Sequence, residues 1–366
     1  MSVGRSTVSR NAFFAPGRHG DCDAEPGLID FAVNVQPGPP SFVAEALRSR
    51  IDGLAAYPTD DDERRALTAV AAAHGRTVDE VLLLEGAAEG FEVLARLRPR
   101  HVALIEPSFT EPERVLRAAG ARCTSVTLAP PWRVSQARVP DDADLVIVGN
   151  PTNPTSVLHP RAEILALRRP GRLVVVDEAF ADLTLDPDSG VREPESLAGM
   201  LPDGVIVIRS ITKTFGLAGL RAGYLLAAPE TIARLSAGRR HWPLGTLALT
   251  ALAACVGPVG ERYAADLAVR IAEDRTHLVE SLRAAGPAEA GLEVTAEPRA
   301  PYVLIRVPDG LALKEALRTR GFGVRSCANF TGLGPEYLRL AVRSPDRSAA
   351  LVRAVQDVLE TEGDRS

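Results

Sequence analysis

The residues with the clearest chemical potential follow a run of four apolar residues, Val205–Ile208. Lys213 lies in a loop with the hydroxyls of Ser210 and Thr212, and Arg221 follows eight residues later. A lysine removed from water in such a loop favours the neutral amine that a Schiff base needs. Two hydroxyls and a guanidinium suit a phosphate. Together these residues suggest a site for pyridoxal phosphate (PLP), although a surface loop with a solvated lysine also fits this short motif.

The wider stretch from Ser210 to Tyr224, SITKTFGLAGLRAGY, resembles the lysine segment of fold-type I PLP-dependent enzymes, in the class I and II aminotransferase family. It is similar to the branch that holds histidinol-phosphate aminotransferase and threonine-phosphate decarboxylase. The resemblance implies an α/β fold, in which a large domain with a mostly parallel sheet is joined to a smaller α+β domain. It also implies that Lys213 carries the cofactor. The glycines of this stretch do not have the spacing of a dinucleotide-binding turn.

Candidate residues recur where other strand-like apolar runs end. Asp177 ends the run Leu173–Val176, and a buried acid there is costly unless it is paired. A protonated pyridine nitrogen is such a partner. Asn153 lies in the motif NPTNPT, and its amide suits the phenolate oxygen of PLP and the adjacent substrate. Because the carboxyl ends of parallel strands meet at one edge of a sheet, we expect these side chains to converge.

The resemblance implies further cofactor contacts. Gly86, Ala87 and Ala88 open a helix after a strand, where free N–H groups suit a phosphate. Phe109 stands where the family has an aromatic residue that stacks on the cofactor ring. Tyr57 stands where a tyrosine hydroxyl reaches the cofactor phosphate of the partner subunit, which implies a homodimer with a shared site. The plainer alternatives are an ordinary helix start, a core phenylalanine and a packing tyrosine.

Substrate-binding candidates also come from the resemblance. Arg339 matches the arginine that binds the substrate α-carboxylate. His19 and Asn34 lie in segments similar to the amino end of the decarboxylase branch, where a histidine turn lies near the substrate phosphate. Arg325 and Arg343 are extra cations for a phosphate, although an arginine on an edge strand is more often solvated. A phosphorylated amino compound is therefore the expected substrate.

Two features favour the decarboxylase branch. Phe180 stands where the aminotransferase branch has tyrosine, and the run from Val324 to Leu333 resembles the decarboxylase sequence more closely. We therefore expect decarboxylation of L-threonine O-3-phosphate to aminopropanol phosphate, a precursor in cobalamin biosynthesis. The alternative is histidinol-phosphate aminotransferase, with 2-oxoglutarate as the acceptor. A catalytically silent PLP-binding sensor is a third interpretation, which the presence of Lys213 disfavours.

Length and composition predict a globular chain with two domains. The chain has 366 residues, of which 46% are apolar and 24% charged. We expect residues 1–45 to form an N-terminal arm and part of the small domain. Residues 46–258 would then form the PLP-binding large domain, and residues 259–366 the C-terminal small domain.

Several classes of protein are disfavoured. A formal charge of −5 without a long basic run argues against nucleic acid as a partner. No apolar stretch reaches the roughly 18 residues that a membrane span needs, and Met1–Ala15 lacks the apolar core of a signal peptide. The four cysteines are far apart, which favours reduced thiols in a cytoplasmic protein. The six histidines are equally dispersed, so we expect no metal centre.

Overall fold

Two β-sheets organise residues 23–200, 202–285 and 291–363, which the computed structural model describes. In chain order the strands are β1 (Ile29–Phe31), β2 (Val81–Leu84), β3 (His101–Glu106), β4 (Arg122–Thr127), β5 (Leu145–Gly149), β6 (Leu173–Asp177), β7 (Val205–Ser210), β8 (Gly223–Leu226), β9 (Glu293–Val294), β10 (Tyr302–Arg306), β11 (Phe322–Ser326) and β12 (Tyr337–Ala341). The first sheet has the order β2-β8-β7-β6-β5-β3-β4, and the second has the order β1-β11-β12-β10-β9.

Helices pack against both sheets. In chain order they are α1 (Ser41–Arg48), α2 (Asp60–Ala73), α3 (Ala87–Leu94), α4 (Glu111–Ala118), α5 (Arg161–Leu165), α6 (Pro229–Ser236), α7 (Thr246–Val256), α8 (Pro258–Ala285), α9 (Gly310–Thr319) and α10 (Pro345–Gly363). Within the described residues, none of these helices is both long and apolar enough to cross a membrane.

The first sheet is parallel except for β8, which runs antiparallel to both of its neighbours. Its central strands are uniformly apolar, as in the run Val205–Ile208, because helices cover both faces of a parallel sheet. Strands β3, β5, β6 and β7 all end at the same edge. That edge therefore receives the segments that contain Phe109, Asn153, Asp177 and Lys213, as the order of strands and motifs predicts.

The second sheet has its own hydrophobic core, and helix α8 connects this core with the first. Ala264, near the start of α8, packs into the core under the first sheet. Leu267, Ile271 and Leu278, which follow on the same helix, pack into the core of the second sheet. The structure thus has the α/β architecture that the sequence predicts, with a large mostly parallel sheet and a second, smaller sheet. The boundaries at residues 45 and 258 stay a prediction.

Residues 32–38, here called the N-terminal strap, pass from the edge strand β1 to the loop that contains Lys213. The N–H of Gln36 donates to the carbonyl oxygen of Lys213 at 3.0 Å. Arg343 donates to the carbonyl oxygens of Asp30 and Val33 at 2.8 and 2.6 Å. The expectation that Arg343 is solvated, or free for a phosphate, is therefore wrong: its guanidinium holds the chain at the start of the strap.

Some parts of the fold differ from the sequence-based expectation. The strands β4 and β9 have no clear hydrophobic signal in the sequence, because β4 carries polar residues and β9 has only two residues. The spacing of Phe42, Leu47 and Ile51 predicts one apolar helix face, but α1 ends at Arg48 and Ile51 is 50% exposed. Its position after the helix end explains why it does not reach the core.

The contact between the lysine loop and the strap gives a testable prediction. Gly216 has φ of 63°, and a Cβ there would lie 2.4 Å from the carbonyl carbon and oxygen of Gly38. We expect Gly216→Ala to lower the free energy of unfolding by about 1–3 kcal/mol, since neither backbone can move away freely. Gly219→Ala, in the same loop but facing open space, is the matched control and should change it by less than about 0.5 kcal/mol. Urea unfolding of both variants measures the difference, and equal effects would refute this packing.

Candidate active site

A cavity of about 540 Å³ opens at the edge of the first sheet where the parallel strands end. It lies between that edge, the N-terminal strap and the second sheet. Most of the sequence-predicted site residues line it: Asn34, Ala87, Ala88, Phe109, Asn153, Asp177, Ser210, Thr212, Lys213, Arg221, Arg325 and Arg339. The convergence expected from the sequence is therefore present in the fold.

One end of the cavity has the donors that a phosphate requires. The hydroxyls of Ser210 and Thr212 are buried and lie 2.7 Å apart. Arg221, with φ of 57°, places its guanidinium over Gly86, where an added Cβ would lie 2.7 Å from Nη2. The guanidinium thus fills the space beside Gly86 at the start of α3, where Ala87 and Ala88 line the cavity with the first N–H groups of the helix.

Asp177 lines the cavity at the end of β6. Burial raises the pKa of Asp177 to about 6, against the opposing effects of the Ala179 N–H and the Lys213 charge. The N–H of Ala179 donates to Oδ1 at 3.1 Å. This carboxylate is therefore costly to ionise until a cation is bound in the cavity.

Two arginines of the second sheet face the cavity from directly opposite positions on β11 and β12. Arg325 is 3% exposed and Arg339 is 5% exposed, and they are paired in register. Arg325 contacts Asp23 at 3.2 Å and Asn329 at 2.8 Å. Like charges at such positions repel each other. The pair therefore favours an anionic ligand in the cavity, where both side chains form part of the wall.

The partners of Arg339 are neutral groups. It donates to Asn153 Oδ1 at 2.5 Å and to the carbonyl oxygen of Ala32 at 2.6 Å. The amide oxygen of Asn34, when it faces the guanidinium, accepts from Nε and Nη1 at 3.2 and 3.0 Å. Burial lowers the pKa of Arg339 to about 10. Because Asn153 turns its oxygen to Arg339, its NH₂ group is not used by this bond.

The lining does not include every predicted residue: Gly86 lies beside it, next to Ala87, and Tyr57 lies elsewhere. His19 lies outside the described residues. Tyr57 is 73% exposed and stacks on Trp242, with the ring centroids 4.3 Å apart. Trp242 is itself 54% exposed, and Ile51 and Leu54 nearby in sequence are also exposed. Within the described part of the chain, Tyr57 thus belongs to an apolar surface rather than to the cavity.

Sequence reasoning missed His159, which fixes the loop that contains Asn153. The Thr152 hydroxyl donates to the carbonyl oxygen of Gly149 at 2.8 Å, so it must accept from Nε2–H of His159, 3.0 Å away. The Asn150 side chain bonds both main-chain groups of His159. Burial, and to a lesser extent Arg133, lowers the pKa of His159 to about 4, so the ring is neutral. The motif NPTNPT indicates a fixed loop, but nothing in the sequence shows that Asn150 and Thr152 of this motif bond to His159.

A buried charged network behind Lys213 was also missed. Arg209, the residue before Ser210 on β7, has Nε 3.2 Å from Glu178 Oε2 and also pairs with Glu193. Asp182 accepts the hydroxyl of Thr214, the neighbour of Lys213, at 2.6 Å. Removing one member of such a buried pair costs about 3–5 kcal/mol. The network therefore fixes residues on both sides of Lys213, namely Arg209 and Thr214, which are not among the cavity-lining residues.

Ser156 adopts a backbone conformation that favours glycine, and the structure explains how serine is tolerated. Its φ of 64° lies in the left-handed region, which favours glycine. Its hydroxyl accepts from the N–H groups of Arg299 and Ala300 at 3.1 and 2.8 Å. These bonds offset the backbone strain and tie the Asn153 loop to the segment before β10.

The sequence contains two lysines, Lys213 and Lys314, against forty arginines. Lys314 is on α9 and forms an ion pair with Asp23, with Nζ 3.4 Å from Oδ1. It is not among the residues that line the cavity. Lys213 is therefore the lysine that can supply an amine to this cavity.

Comparison with known proteins relates this chain to one enzyme family. The family model for aminotransferase class I and II matches residues 26–355. A histidinol-phosphate aminotransferase of Mycobacterium tuberculosis is 51% identical over 327 residues, which cover 89% of this chain and 86% of that protein. The threonine-phosphate decarboxylase of Salmonella typhimurium is 29% identical over 347 residues, which cover 91% of each chain.

A solved structure of similar fold is the histidinol-phosphate aminotransferase from Clostridium acetobutylicum. The TM-score is 0.80 at 25% sequence identity, and the superposition covers 91% of this chain and 100% of that one. The fold expected from the sequence is thereby confirmed.

The raised pKa of Asp177 predicts a pH-dependent stability of the cofactor-free protein. Between about pH 4 and pH 6 the folded state keeps a proton that the unfolded state loses, so stability falls as pH rises through this window. Asp177→Asn removes this cost. We expect it to raise the free energy of unfolding above pH 6 by up to about 3 kcal/mol, with little gain near pH 4.

Urea unfolding at both pH values measures this difference. The exposed Asp357→Asn is the control and should show no such change. A gain of equal size at both pH values would contradict the argument from burial.

Proposed function

Since the chain belongs to the aminotransferase class I and II family, we propose that it is a PLP-dependent aminotransferase for a phosphorylated amino substrate such as histidinol phosphate, with 2-oxoglutarate as the acceptor. The observation that carries the proposal is that Lys213, Asp177 and the buried pair Arg325 and Arg339 line one cavity. The family implies PLP as the cofactor.

This proposal reverses the order in which the sequence ranked the two reactions. The relatives at 51% identity are named histidinol-phosphate aminotransferase, whereas those named threonine-phosphate decarboxylase are about 30% identical or less. The branch preference from Phe180 and from the run Val324–Leu333 rested on a few positions. Identity over most of the chain weighs more than those positions.

The residues of the cavity fit PLP. Ser210, Thr212, Arg221 and the start of α3 would hold its phosphate. The absence of a side chain at Gly86 lets the Arg221 guanidinium lie against the start of α3. Asp177 would face the ring nitrogen, whose positive charge would offset the cost of burying this carboxylate. Phe109 would contact the ring face, and the free NH₂ group of Asn153 would donate to the phenolate oxygen.

When it is bound, PLP supplies an electron sink for the bond that breaks at the substrate Cα. The side chains of this protein decide which bond that is. Arg339 would bind the carboxylate of glutamate or 2-oxoglutarate, while Arg325 and Asn34 would bind the distal anion of the substrate. Lys213 would then act as the general base that removes the proton from the substrate Cα, and afterwards as the general acid that gives this proton up again. His19, which lies outside the described residues, stays a proposed ligand of the substrate phosphate.

Decarboxylation of threonine phosphate is the second candidate, and one structural observation favours it. Phe180 lines the cavity and meets the edge of Tyr302, with the ring centroids 5.1 Å apart. The Tyr302 hydroxyl donates to the carbonyl oxygen of Thr152 at 3.2 Å, so it does not replace the hydroxyl that the aminotransferase branch has at the Phe180 position. The cavity wall beside Asp177 is therefore apolar here.

We also propose a homodimer in which Tyr57 reaches the cofactor phosphate of the partner subunit. The exposed apolar surface formed by Ile51, Leu54, Tyr57 and Trp242 supports this assembly, because large aromatic side chains are seldom left in water together. The free, buried thiols of Cys123, Cys255 and Cys327 agree with the proposed cytoplasmic location.

The first prediction concerns Lys213. With PLP bound, we expect a visible absorption band that shifts on treatment with borohydride, and a peptide that contains Lys213 should then carry the reduced cofactor. Because the sequence has one other lysine, Lys314→Arg should keep this label and Lys213→Arg should lose it. Mass spectrometry of the digested protein identifies the site. A label on Lys314 would overturn the assignment.

The second prediction separates the two reactions. Histidinol phosphate with 2-oxoglutarate should yield glutamate, and threonine phosphate should release no CO₂. We expect Arg325→Gln to raise KM for histidinol phosphate by roughly 10- to 150-fold, since a charge-assisted hydrogen bond is lost. It should affect KM for histidinol, which lacks the phosphate, far less. Arg339→Gln should instead act mainly on 2-oxoglutarate.

Arg306→Gln is the matched control, because Arg306 is an exposed arginine of the same sheet. It should leave KM for histidinol phosphate and KM for 2-oxoglutarate unchanged. Release of CO₂ from threonine phosphate without glutamate formation from histidinol phosphate would establish the decarboxylase instead. The assignment of Lys213 as the residue that binds PLP would not change.

A further inference from the structure

A second cavity, of about 810 Å³, opens at the opposite edge of the first sheet, where β5, β6 and β7 begin. Leu145 and Leu173, the first residues of β5 and β6, are part of its lining. At a rise of about 3.3 Å per residue, the five residues of β5 separate the two edges by about 13 Å. A ligand in this second cavity would therefore not contact Lys213.

The lining of this cavity is strongly basic, although the whole chain has a formal charge of −5. Five arginines line it together with two acids: Arg98, Arg168, Arg169, Arg172, Arg234, Asp144 and Asp203. Asp144 already accepts hydrogen bonds from the N–H groups of Arg100 and His101, at 3.0 to 3.1 Å. Its Oδ2 also lies 3.4 Å from Nε of Arg100, so its negative charge is directed to residues outside the five lining arginines.

Three of the arginines have structural partners. Arg172 donates to the carbonyl oxygens of Ala143 and Pro140 at 2.8 and 2.7 Å, and Arg234 donates to that of Leu97 at 3.2 Å. These bonds satisfy carbonyl groups at the ends of elements, a common role for arginine. Arg169 pairs with Asp141.

Arg98 and Arg168 differ from these three. Both are exposed, and neither makes a side-chain hydrogen bond or an ion pair with any residue that the structure describes. They add two guanidinium groups to a cavity whose wall already contains the buried Arg172. Guanidinium groups bind phosphate oxygens in pairs, so this combination suits a phosphorylated ligand.

The rest of the lining is apolar. Leu97, Pro99, Leu145 and Leu173 form part of the wall, and the volume is in the range of cavities that hold cofactor-sized molecules. An apolar wall beside several guanidinium groups suits an organic body that carries a phosphate. We propose that this cavity is a second binding site, for a phosphorylated organic anion of about the size of a nucleotide.

Titration calorimetry of the PLP-loaded enzyme tests the proposal, with ADP as the probe and adenosine as its uncharged counterpart. We expect ADP to bind with a dissociation constant below about 1 mM and adenosine not to bind. Arg98→Gln/Arg168→Gln should weaken ADP binding by at least about tenfold. The control Arg283→Gln/Arg353→Gln removes two exposed arginines elsewhere and should leave ADP binding unchanged.

Three outcomes would overturn the site. The first is an absence of ADP binding at ADP concentrations up to about 1 mM. The second is equal binding by the Arg98/Arg168 variant and the unaltered enzyme. The third is competition between ADP and the amino substrate, which would place ADP in the active site. Tighter binding of a short RNA, with the same dependence on Arg98 and Arg168, would replace the small ligand by a nucleic acid.

Discussion

Two buried guanidinium groups face each other across neighbouring strands, and much of the surrounding structure compensates for their repulsion. Arg325 is balanced by Asp23, which comes from the start of the described chain. Arg339 has neutral partners: Asn153 from the large sheet, and Asn34 and the Ala32 carbonyl from the strap. The arginine pair therefore joins three distant segments of the chain. An anion that enters the cavity meets a site whose positive charge the fold has only partly neutralised.

The loop that contains Asn153 connects the two sheets mechanically. His159 and Asn150 hold it to the first sheet, while the Ser156 hydroxyl and Tyr302 hold it to the segment before β10 and to β10 itself. Arg275 on α8 donates to the carbonyl oxygens of Arg299 and Ala300, at 3.2 and 3.4 Å. A shift of the second sheet would thus move Asn153 together with Arg339. The proposed cofactor contact, Asn153, and the proposed substrate contact, Arg339, are therefore parts of one rigid connection.

Much of this site could be predicted from the sequence, since its residues lie directly after buried strands. Asp177, Asn153 and Lys213 follow apolar runs, and a parallel sheet brings the ends of such runs together. The role of Arg343 and the partner of Thr152 could not be predicted, because both depend on contacts between segments far apart in the chain. Hydrophobic periodicity reports local burial. It does not show which polar group will lie opposite another after folding.

The scarcity of lysine has a consequence for how the enzyme acquires its cofactor. An aldehyde in solution condenses with accessible primary amines, and a chain rich in surface lysines would capture it at many places. Here arginine supplies almost all of the positive charge, and a guanidinium stays protonated and does not form such adducts readily. The second lysine is 7% exposed and held against Asp23. Unproductive condensation on the protein surface is thereby minimised by amino-acid composition alone, before any recognition by the cavity.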